Sequence, residues 1–263
     1  MNRPPGEILD AFSRLRIVVV GGAILDSYLC GATGRLCREA PVPIVRLSGR
    51  RDAPGGAANT AANVVSLGGR AELISAVGPD AEAALIRRRL AAAGVVADRM
   101  ITVPGRATLA KHRVVGDGQL LVRFDRGTTG PLPPQAARQL AENHRAAAAG
   151  ADAVIVSDYD YGVVGPEVAA ALAGLRPRLL IADSKNLPAL AGLSPTAVKP
   201  NYAEAAGLLG LPEDLPVRDR AEAVSARADD LLRLTGARLA AVTLDTDGAV
   251  LLEAGRPPHR TYA

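Results

Sequence analysis

The chain has 263 residues, of which 48% are hydrophobic and 22% charged, and its formal net charge is +4. This length and apolar content suffice for one large α/β domain with a substantial core. Aromatic residues make up only 3% and Trp is absent, which argues against base stacking on nucleic acid. The sequence contains no membrane-length apolar run and no signal-peptide core. We therefore predict a cytoplasmic protein without nucleic-acid or membrane partners.

The first predicted strand is the β-branched run at 16–20, which ends at a pair of glycines. A strand followed by glycines also suggests a dinucleotide-binding oxidoreductase, but the third glycine of that fingerprint is missing. Asp26 follows this strand, at the end where open α/β sheets bind ligands. Its carboxylate can accept hydrogen bonds from two sugar hydroxyls, and a turn or helix-capping aspartate is the alternative.

Gly55 and Gly56 lead directly into an Ala- and Asn-rich helix predicted over 57–67. Glycine permits backbone angles and close approaches that a Cβ would block. Asn59 lies in the first helical turn, where its amide can both donate and accept hydrogen bonds. The segment therefore suits a ligand rich in hydroxyls, and the alternative is a buried helix for which the glycines merely form a turn.

Residues of about 28–52 and 100–126 alternate between apolar and polar and do not fit a buried parallel sheet. They predict a small β-sheet lid, with a hairpin tip at 116–118. Lys111 and Arg113 share one face of this sheet because strand side chains repeat every second residue. Two cations over a sugar site would suit a phosphate, whereas a solubilising sheet edge is the alternative.

From residue 134 onward, predicted helices alternate with predicted strands. The helices are expected at 134–149, 166–175, from about 202, and at 218–234, and the strands at 153–156, 179–182, 196–198, 239–243 and 249–252. This alternation predicts a mostly parallel sheet with helices on both faces.

Polar residues follow several of these strands. Asp158 follows the strand at 153–156, and Lys185, which could offer a point charge to a phosphate or be an ordinary surface lysine, follows the strand at 179–182. Asn201 and Glu204 have the spacing of a capping box, which needs no function. A helix N-terminus also favours anions, so a phosphate-binding role is the second interpretation.

Seven positions within 54–78 together resemble the first signature of the ribokinase-like (PfkB) carbohydrate kinases: Gly55, Gly56, Ala57, Asn59, Ala61, Gly68 and Gly78. Four further stretches are similar to the D-glycero-D-manno-heptose-7-phosphate kinase group: LDSYLCG…EAPVPIV, TLAKHRVV…QLLVRFD, SDYDYGVV and ADSKN…VKPNYAEA. The resemblance implies a three-layer α-β-α fold over residues 1–263, with a mostly parallel central sheet and the small β-sheet lid. It also implies phosphorylation of the anomeric hydroxyl of heptose 7-phosphate by ATP with Mg²⁺.

The same resemblance assigns roles to individual residues. Substrate binding is expected at Asp26, Gly55, Gly56, Asn59, Lys111, Arg113 and Asp158. Nucleotide binding is expected at Lys185, Asn201, Thr243, Asp245 and Gly248, and a magnesium contact through water at Asn201 and Glu204. Homodimerisation through the lid and a downstream adenylyltransferase domain or partner are implied as well.

The chain also departs from the family pattern. Asp160 and Tyr161 stand where the group usually has Gly and Lys, and 183–186 reads Asp-Ser-Lys-Asn instead of Asp-Pro-Lys-Gly. Asp245 stands where the family often has Gly. The second signature, Gly-Ala-Gly-Asp, which supplies the anion hole and the general base, is absent. We therefore expect a C-terminally incomplete kinase domain whose base would follow Ala263 and which is inactive alone, and a non-catalytic sugar-phosphate-binding or assembly protein is the alternative.

Overall fold

The computed structural model describes residues 4–175 and 177–262. The helices in these ranges are α1 (Pro5–Phe12), α2 (Ala57–Ser66), α3 (Ala81–Ala92), α4 (Pro134–Ala148), α5 (Pro166–Leu175), α6 (Leu187–Leu190), α7 (Tyr202–Leu209), α8 (Val217–Ser225) and α9 (Ala228–Thr235). The strands are β1 (Arg16–Gly21), β2 (Ala23–Leu36), β3 (Pro43–Gly56), β4 (Arg70–Ile74), β5 (Ala76–Val77), β6 (Ile101–Thr102), β7 (Leu109–Gly116), β8 (Gln119–Arg126), β9 (Ala153–Asp158), β10 (Leu180–Ser184), β11 (Ala197–Val198), β12 (Leu239–Thr243), β13 (Ala249–Glu253) and β14 (His259–Thr261). Within the described part of the chain, no helix has both the length and the apolarity needed to cross a membrane.

The central sheet has eight strands in the order β14-β13-β12-β11-β10-β9-β1-β4. The six strands from β4 to β12 in this order run parallel, and β13 and β14 complete the sheet by antiparallel pairing. This arrangement confirms the mostly parallel sheet predicted from the alternation of strands and helices. Because parallel strands end at one edge, residues that follow them in the chain are brought to the same side of the molecule.

Alternating side chains of β1 separate two hydrophobic clusters. Val18 and Val20 pack into the cluster that contains Leu140 of α4, whereas Ile17 and Val19 pack into the cluster that contains Ile86 of α3. Side chains of a strand alternate between the two faces of a sheet, so helices cover both faces of the buried strands. The predicted three-layer arrangement follows from this packing.

The predicted small sheet is present, with the strand order β3-β2-β7-β8. The pairs β2–β3 and β7–β8 are antiparallel, while β2 and β7 in the middle pair in parallel. Its first strand begins at Ala23, so Asp26 lies within a paired strand and not in a turn or at a helix cap. The hairpin tip lies at Asp117 and Gly118, where both residues have positive φ.

Two sequence-based expectations were wrong. The strand near residue 101 does not belong to the small sheet: Ile101 and Thr102 pair with β5, because Ile101 and the neighbouring Val103 are buried in the core. The single helix expected at 218–234 is divided into α8 and α9. At the break, the Ser225 hydroxyl donates to the carbonyl of Ala221 at 2.6 Å, the local bond by which serine competes with helix propagation.

Candidate active site

Asp26 is held on the small sheet by a glycine and an arginine. Its Oδ1 accepts a hydrogen bond from Nη1 of Arg113 at 2.6 Å, and both side chains are half-buried. Gly55 on the neighbouring strand leaves the space that the carboxylate fills, since a Cβ at this position would lie 2.3 Å from Asp26 Oδ2. The predicted sugar-binding carboxylate is therefore preorganised, and its position requires glycine at residue 55.

Gly56 and Asn59 complete the predicted sugar-side group. Gly56 has a φ of +57°, which favours glycine, and precedes the first residue of α2. The Ala57 N–H donates to the carbonyl of Gly22, which joins this turn to the end of β1. Asn59 is exposed in the first turn of α2, so its side-chain amide is accessible to a ligand.

Lys111 connects the small sheet with the end of β9. It is the register partner of Asp26 across the β2–β7 pair. Its Nζ lies 5.7 Å from the ring centroid of Tyr159 and 5.8 Å from that of Tyr161. The two rings are nearly parallel, with an interplanar angle of 15°, so both aromatic groups attract the ammonium. The Asp26 face of the small sheet therefore looks towards the carboxyl edge of the central sheet.

Asp158 lies at that carboxyl edge and is 9% exposed. Its oxygens accept hydrogen bonds from the Ser184 hydroxyl at 2.9 Å and from the Asp160 N–H at 3.1 Å. Burial raises the pKa of the Asp158 carboxyl, although these hydrogen bonds oppose the shift. Asp160 has a φ of +60°, a conformation that favours glycine and that Asp tolerates better than most residues.

A cleft of about 160 Å³ lies next to Asp158 at the same edge. It is lined by Asp158, Tyr159, Asp183, Ser184, Lys185, Lys199, Asn201 and Glu204. Lys199 Nζ lies 3.1 Å from Asp183 Oδ2, and Lys185 Nζ lies 2.5 Å from Glu204 Oε1. The hydrogen bond to Glu204 raises the pKa of Lys185, which keeps it protonated at neutral pH.

The N-terminus of α7 forms one wall of this cleft. Asn201 Oδ1 accepts the Glu204 N–H, and Glu204 Oε2 accepts the Asn201 N–H, each at 2.9 Å, so the predicted capping box is present. Thr243 lies beside it, because its N–H donates to Pro200 and it bridges to Asn201. The remaining N–H groups of the first turn give this wall a positive partial charge.

Asp245 and Gly248 lie in the turn between β12 and β13 and do not line this cleft. Asp245 pairs with Arg220 at 2.7 Å. Gly248 has a φ of +79° and packs against β14, where a Cβ would lie 2.1 Å from the carbonyl oxygen of Thr261. In this structure Asp245 therefore has an ion-pair partner, and Gly248 is packed against the backbone of β14.

Tyr159 lies between the two groups of side chains. Its ring lies beside Lys111 of the small sheet, and the residue also lines the cleft at α7. Burial raises the pKa of its phenol. Sequence analysis assigned no role to the Tyr159 ring or to Lys199. The signal available was their place directly after β9 and β11, where ligands bind in open sheets.

The arrangement can hold two kinds of ligand side by side. The Asp26 group offers a carboxylate and cations that suit hydroxyls, and the cleft at α7 offers two lysines and a helix N-terminus that suit an anion. No cluster of three metal-ligating side chains occurs in the ranges 4–175 and 177–262. The few carboxylates that line the cleft at α7 fit Mg²⁺, which usually keeps several waters and takes one or two carboxylates together with substrate phosphates.

Comparison with known proteins adds independent information. The profile of the pfkB family carbohydrate kinases matches residues 14–261. The chain is 31% identical over 258 residues to the bifunctional protein HldE of Desulfatibacillum aliphaticivorans, covering 97% of this chain and 52% of that protein. It is 35% identical over 261 residues to HldE of Alkalilimnicola ehrlichii, covering 95% of this chain and 51% of that protein. The chain thus spans about half the length of these curated relatives.

Solved structures show the same fold. Ribokinase from Arabidopsis thaliana, complexed with ribose and ATP, matches with a TM-score of 0.68 and 22% identity, covering 94% of this chain and 78% of that one. Phosphofructokinase-2 from Escherichia coli, in complex with fructose-6-phosphate, matches with a TM-score of 0.70 and 20% identity, covering 94% of this chain and 80% of that one. At these identities the likeness concerns the fold alone.

Proposed function

The chain belongs to the pfkB family of carbohydrate kinases, and from this premise we propose that it takes part in phosphoryl transfer from Mg-ATP to the anomeric hydroxyl of a sugar phosphate. Heptose 7-phosphate, giving the 1,7-bisphosphate, is the proposed substrate. It is supported by the motifs that resemble the heptose-7-phosphate kinase group and by the identity with two HldE proteins. The observation that carries the proposal is the position of Tyr159, which contacts Lys111 of the Asp26 group and also lines the cleft at α7.

On the sugar side, Asp26 accepts hydrogen bonds from sugar hydroxyls and Asn59 adds an amide from the first turn of α2. Arg113 orients the Asp26 carboxylate by a bond of 2.6 Å. Lys111 lies beside Asp26 on the small sheet and contacts the Tyr159 ring. Asp158, which lines the adjacent cleft at the end of β9, is proposed to contribute to substrate binding from there. Phosphoryl transfer depends on this kind of positioning, since its transition state requires little covalent chemistry from the protein.

On the nucleotide side, Lys185 and Lys199 offer cations and the α7 N-terminus offers N–H groups to the phosphates of ATP. Asn201 and Glu204 would hold Mg²⁺ through its waters, and Asp183 provides a further carboxylate in the same cleft. When bound, the metal supplies positive charge that neutralises the phosphate oxygens. Thr243, Asp245 and Gly248 are proposed to border the nucleotide from the neighbouring turn.

We also propose that the chain forms a homodimer through the small sheet. Leu47, Val122 and Phe124 lie on the sheet face opposite Asp26, and each is at least 48% exposed. A sheet that presents apolar side chains to water is a candidate interface. An adenylyltransferase domain or partner is a further proposal, supported by the word "bifunctional" in the names of relatives that are about twice as long.

The test measures binding and turnover separately, because sequence analysis predicts that residues 1–263 lack the general base. Isothermal titration calorimetry with Mg-ATP and with heptose 7-phosphate measures binding, and release of ADP measures turnover. Gly55→Ala is expected to weaken sugar binding at least about 10-fold, since the added methyl displaces the Asp26 carboxylate. Gly49→Ala, in the same strand but with no atom within 4 Å of the new Cβ, is the matched control and is expected to bind normally.

The outcomes separate the alternatives. Binding of both ligands with ADP release supports the kinase. Binding without turnover, even in a chain extended through a general base, supports the non-catalytic alternative. A protein that binds neither ATP nor any sugar phosphate contradicts the proposal.

A further inference from the structure

The four strands of the small sheet align three arginines and a tyrosine in one row. Tyr28 on β2 pairs with Arg51 on β3 and with Arg113 on β7, and Arg113 pairs with Arg123 on β8. Paired residues of neighbouring strands point to the same face of a sheet. These four side chains therefore form a continuous row across the sheet, which we call the arginine row.

The adjacent row on the same face carries the proposed sugar ligands. Two residues along each strand from the arginine row lie Asp26, Lys111 and Asp125. Lys111 contacts the tyrosines at the end of β9, so this face is turned towards the proposed sugar site. The two rows together contain four cations and two carboxylates, and the face as a whole is therefore positive.

Tyr28 organises the arginine row. The guanidinium carbon of Arg51 lies 4.9 Å from the centroid of the Tyr28 ring, and that of Arg113 lies 5.1 Å from it. The ring thus lies between two guanidinium groups and attracts both. Contact with the ring restricts the two side chains without using up their N–H donors.

The arginines retain donors for a ligand. Arg113 uses one nitrogen for Asp26, and Arg123 uses two for Asp125. Arg51 forms no ion pair with any residue in 4–175 or 177–262. A guanidinium carries five N–H donors in a planar fork that matches the oxygens of a phosphate.

We propose that Arg51, Arg113 and Arg123 bind the phosphate monoester of the sugar substrate, at the end remote from the reacting hydroxyl, with Tyr28 as a positioning residue. The inference rests on the proposed function in one respect, that the substrate is a phosphorylated sugar. It gives Arg51 a role that the sequence analysis did not assign.

Calorimetry with heptose 7-phosphate and with unphosphorylated heptose tests this site. Arg51→Met and Arg123→Met are each expected to raise the Kd of heptose 7-phosphate about 10-fold and to change the Kd of heptose less than about 2-fold. Arg50→Met is the matched control: Arg50 precedes Arg51 but lies on the opposite face of β3, paired with Asp52. It removes the same charge and is expected to change neither Kd.

The role of Tyr28 is tested by a conservative pair. Tyr28→Leu is expected to raise the Kd of heptose 7-phosphate alone, and Tyr28→Phe to restore it, because the ring and not the hydroxyl holds the arginines. The melting temperature of each variant shows whether the fold is retained.

Several results would overturn the proposal. Equal affinity of the wild-type chain for heptose and heptose 7-phosphate would do so, as would no binding of either. Arginine variants that weaken both sugars equally would show a general effect on the sheet and would also contradict it. ADP release, measured in a chain extended through a general base, keeps the two proposals apart. Arginine-dependent phosphate binding without turnover in that chain supports the site and counts against the kinase, whereas turnover of unphosphorylated heptose at an equal rate does the reverse.

Discussion

Single residues of this chain act through partners that are distant in sequence. Asp26 is oriented by Arg113, which lies 87 residues further along the chain, and it has room only because residue 55 is glycine. The pair is half-buried, where a charge-assisted hydrogen bond is stronger than at the surface. The position and orientation of the Asp26 carboxylate therefore depend on two other residues, Arg113 and Gly55.

His144 predicts a pH dependence of stability. It is fully buried in α4, and within the described ranges neither ring nitrogen has a hydrogen-bond partner. Burial, with a smaller contribution from the charge of Arg145, lowers the pKa of His144 from 6.5 to about 4. Between these values the unfolded chain binds a proton that the folded chain does not. Stability is therefore expected to fall as the pH drops from 6.5 towards 4, by roughly 3 kcal/mol for this group.

The measurement compares the wild type with His144→Leu by urea unfolding across that pH range. Leucine has a similar size and no titrating group, so the other ionisable residues contribute equally to both curves. The difference between the two free energies of unfolding is expected to grow as the pH falls. Parallel curves would refute the assignment.

At the scale of elements, the N-terminus of α7 combines a structural and a proposed functional role. The capping box between Asn201 and Glu204 satisfies two backbone N–H groups. The second oxygen of Glu204 holds Lys185, so the cap also places a cation in the cleft. A single short motif thus stabilises the helix and arranges charges for an anion.

Substitutions at Asn201 separate these roles. Asn201→Ala is expected to lower the free energy of unfolding by about 1 kcal/mol, because the cap is lost. Asn201→Asp keeps an acceptor oxygen and is expected to retain the stability, while its negative charge repels the phosphates. Denaturant unfolding measures the stability of each variant, and calorimetry with Mg-ATP measures its affinity for ATP. The affinity for ATP is expected to be reduced in both variants. A full affinity for ATP in Asn201→Asp would argue against a nucleotide at this helix.

At the scale of the whole molecule, the small sheet presents two unlike faces. One carries Asp26, Lys111 and the arginine row, and the other exposes Leu47, Val122 and Phe124. A ligand on the charged face and a second copy on the apolar face can therefore be bound together. Dimerisation would remove apolar side chains from water and stiffen the sheet that carries the residues proposed to bind the sugar.

The dimer is tested by sedimentation. The wild-type chain is expected to sediment as a dimer, and Val122→Glu to sediment as a monomer, because the buried interface would have to accept an unpaired charge. Leu67→Glu introduces the same charge at an equally exposed residue at the end of α2 and is expected to leave the dimer intact. A wild-type chain that remains monomeric at every concentration sampled would exclude the dimer.

The sequence by itself determined the elements whose signals are local. The glycines before α2 and the capping box of α7 lie within a few residues of the structures that they specify. The alternation of strands and helices was sufficient for the parallel sheet, since these connections leave few topologies. The family likewise followed from short motifs, because a glycine turn and its helix are read within one segment.

Only the tertiary structure decided which of these residues meet. The register of β3, β2, β7 and β8 places Arg51, Tyr28, Arg113 and Arg123 in one row, and no local pattern contains that register. The hydrophobic periodicity of the sequence likewise did not predict the break between α8 and α9, the pairing of β6 with β5 or the burial of His144. The physical reason is that backbone conformation is dictated mainly by neighbours in sequence, whereas strand register and burial depend on contacts formed across the fold.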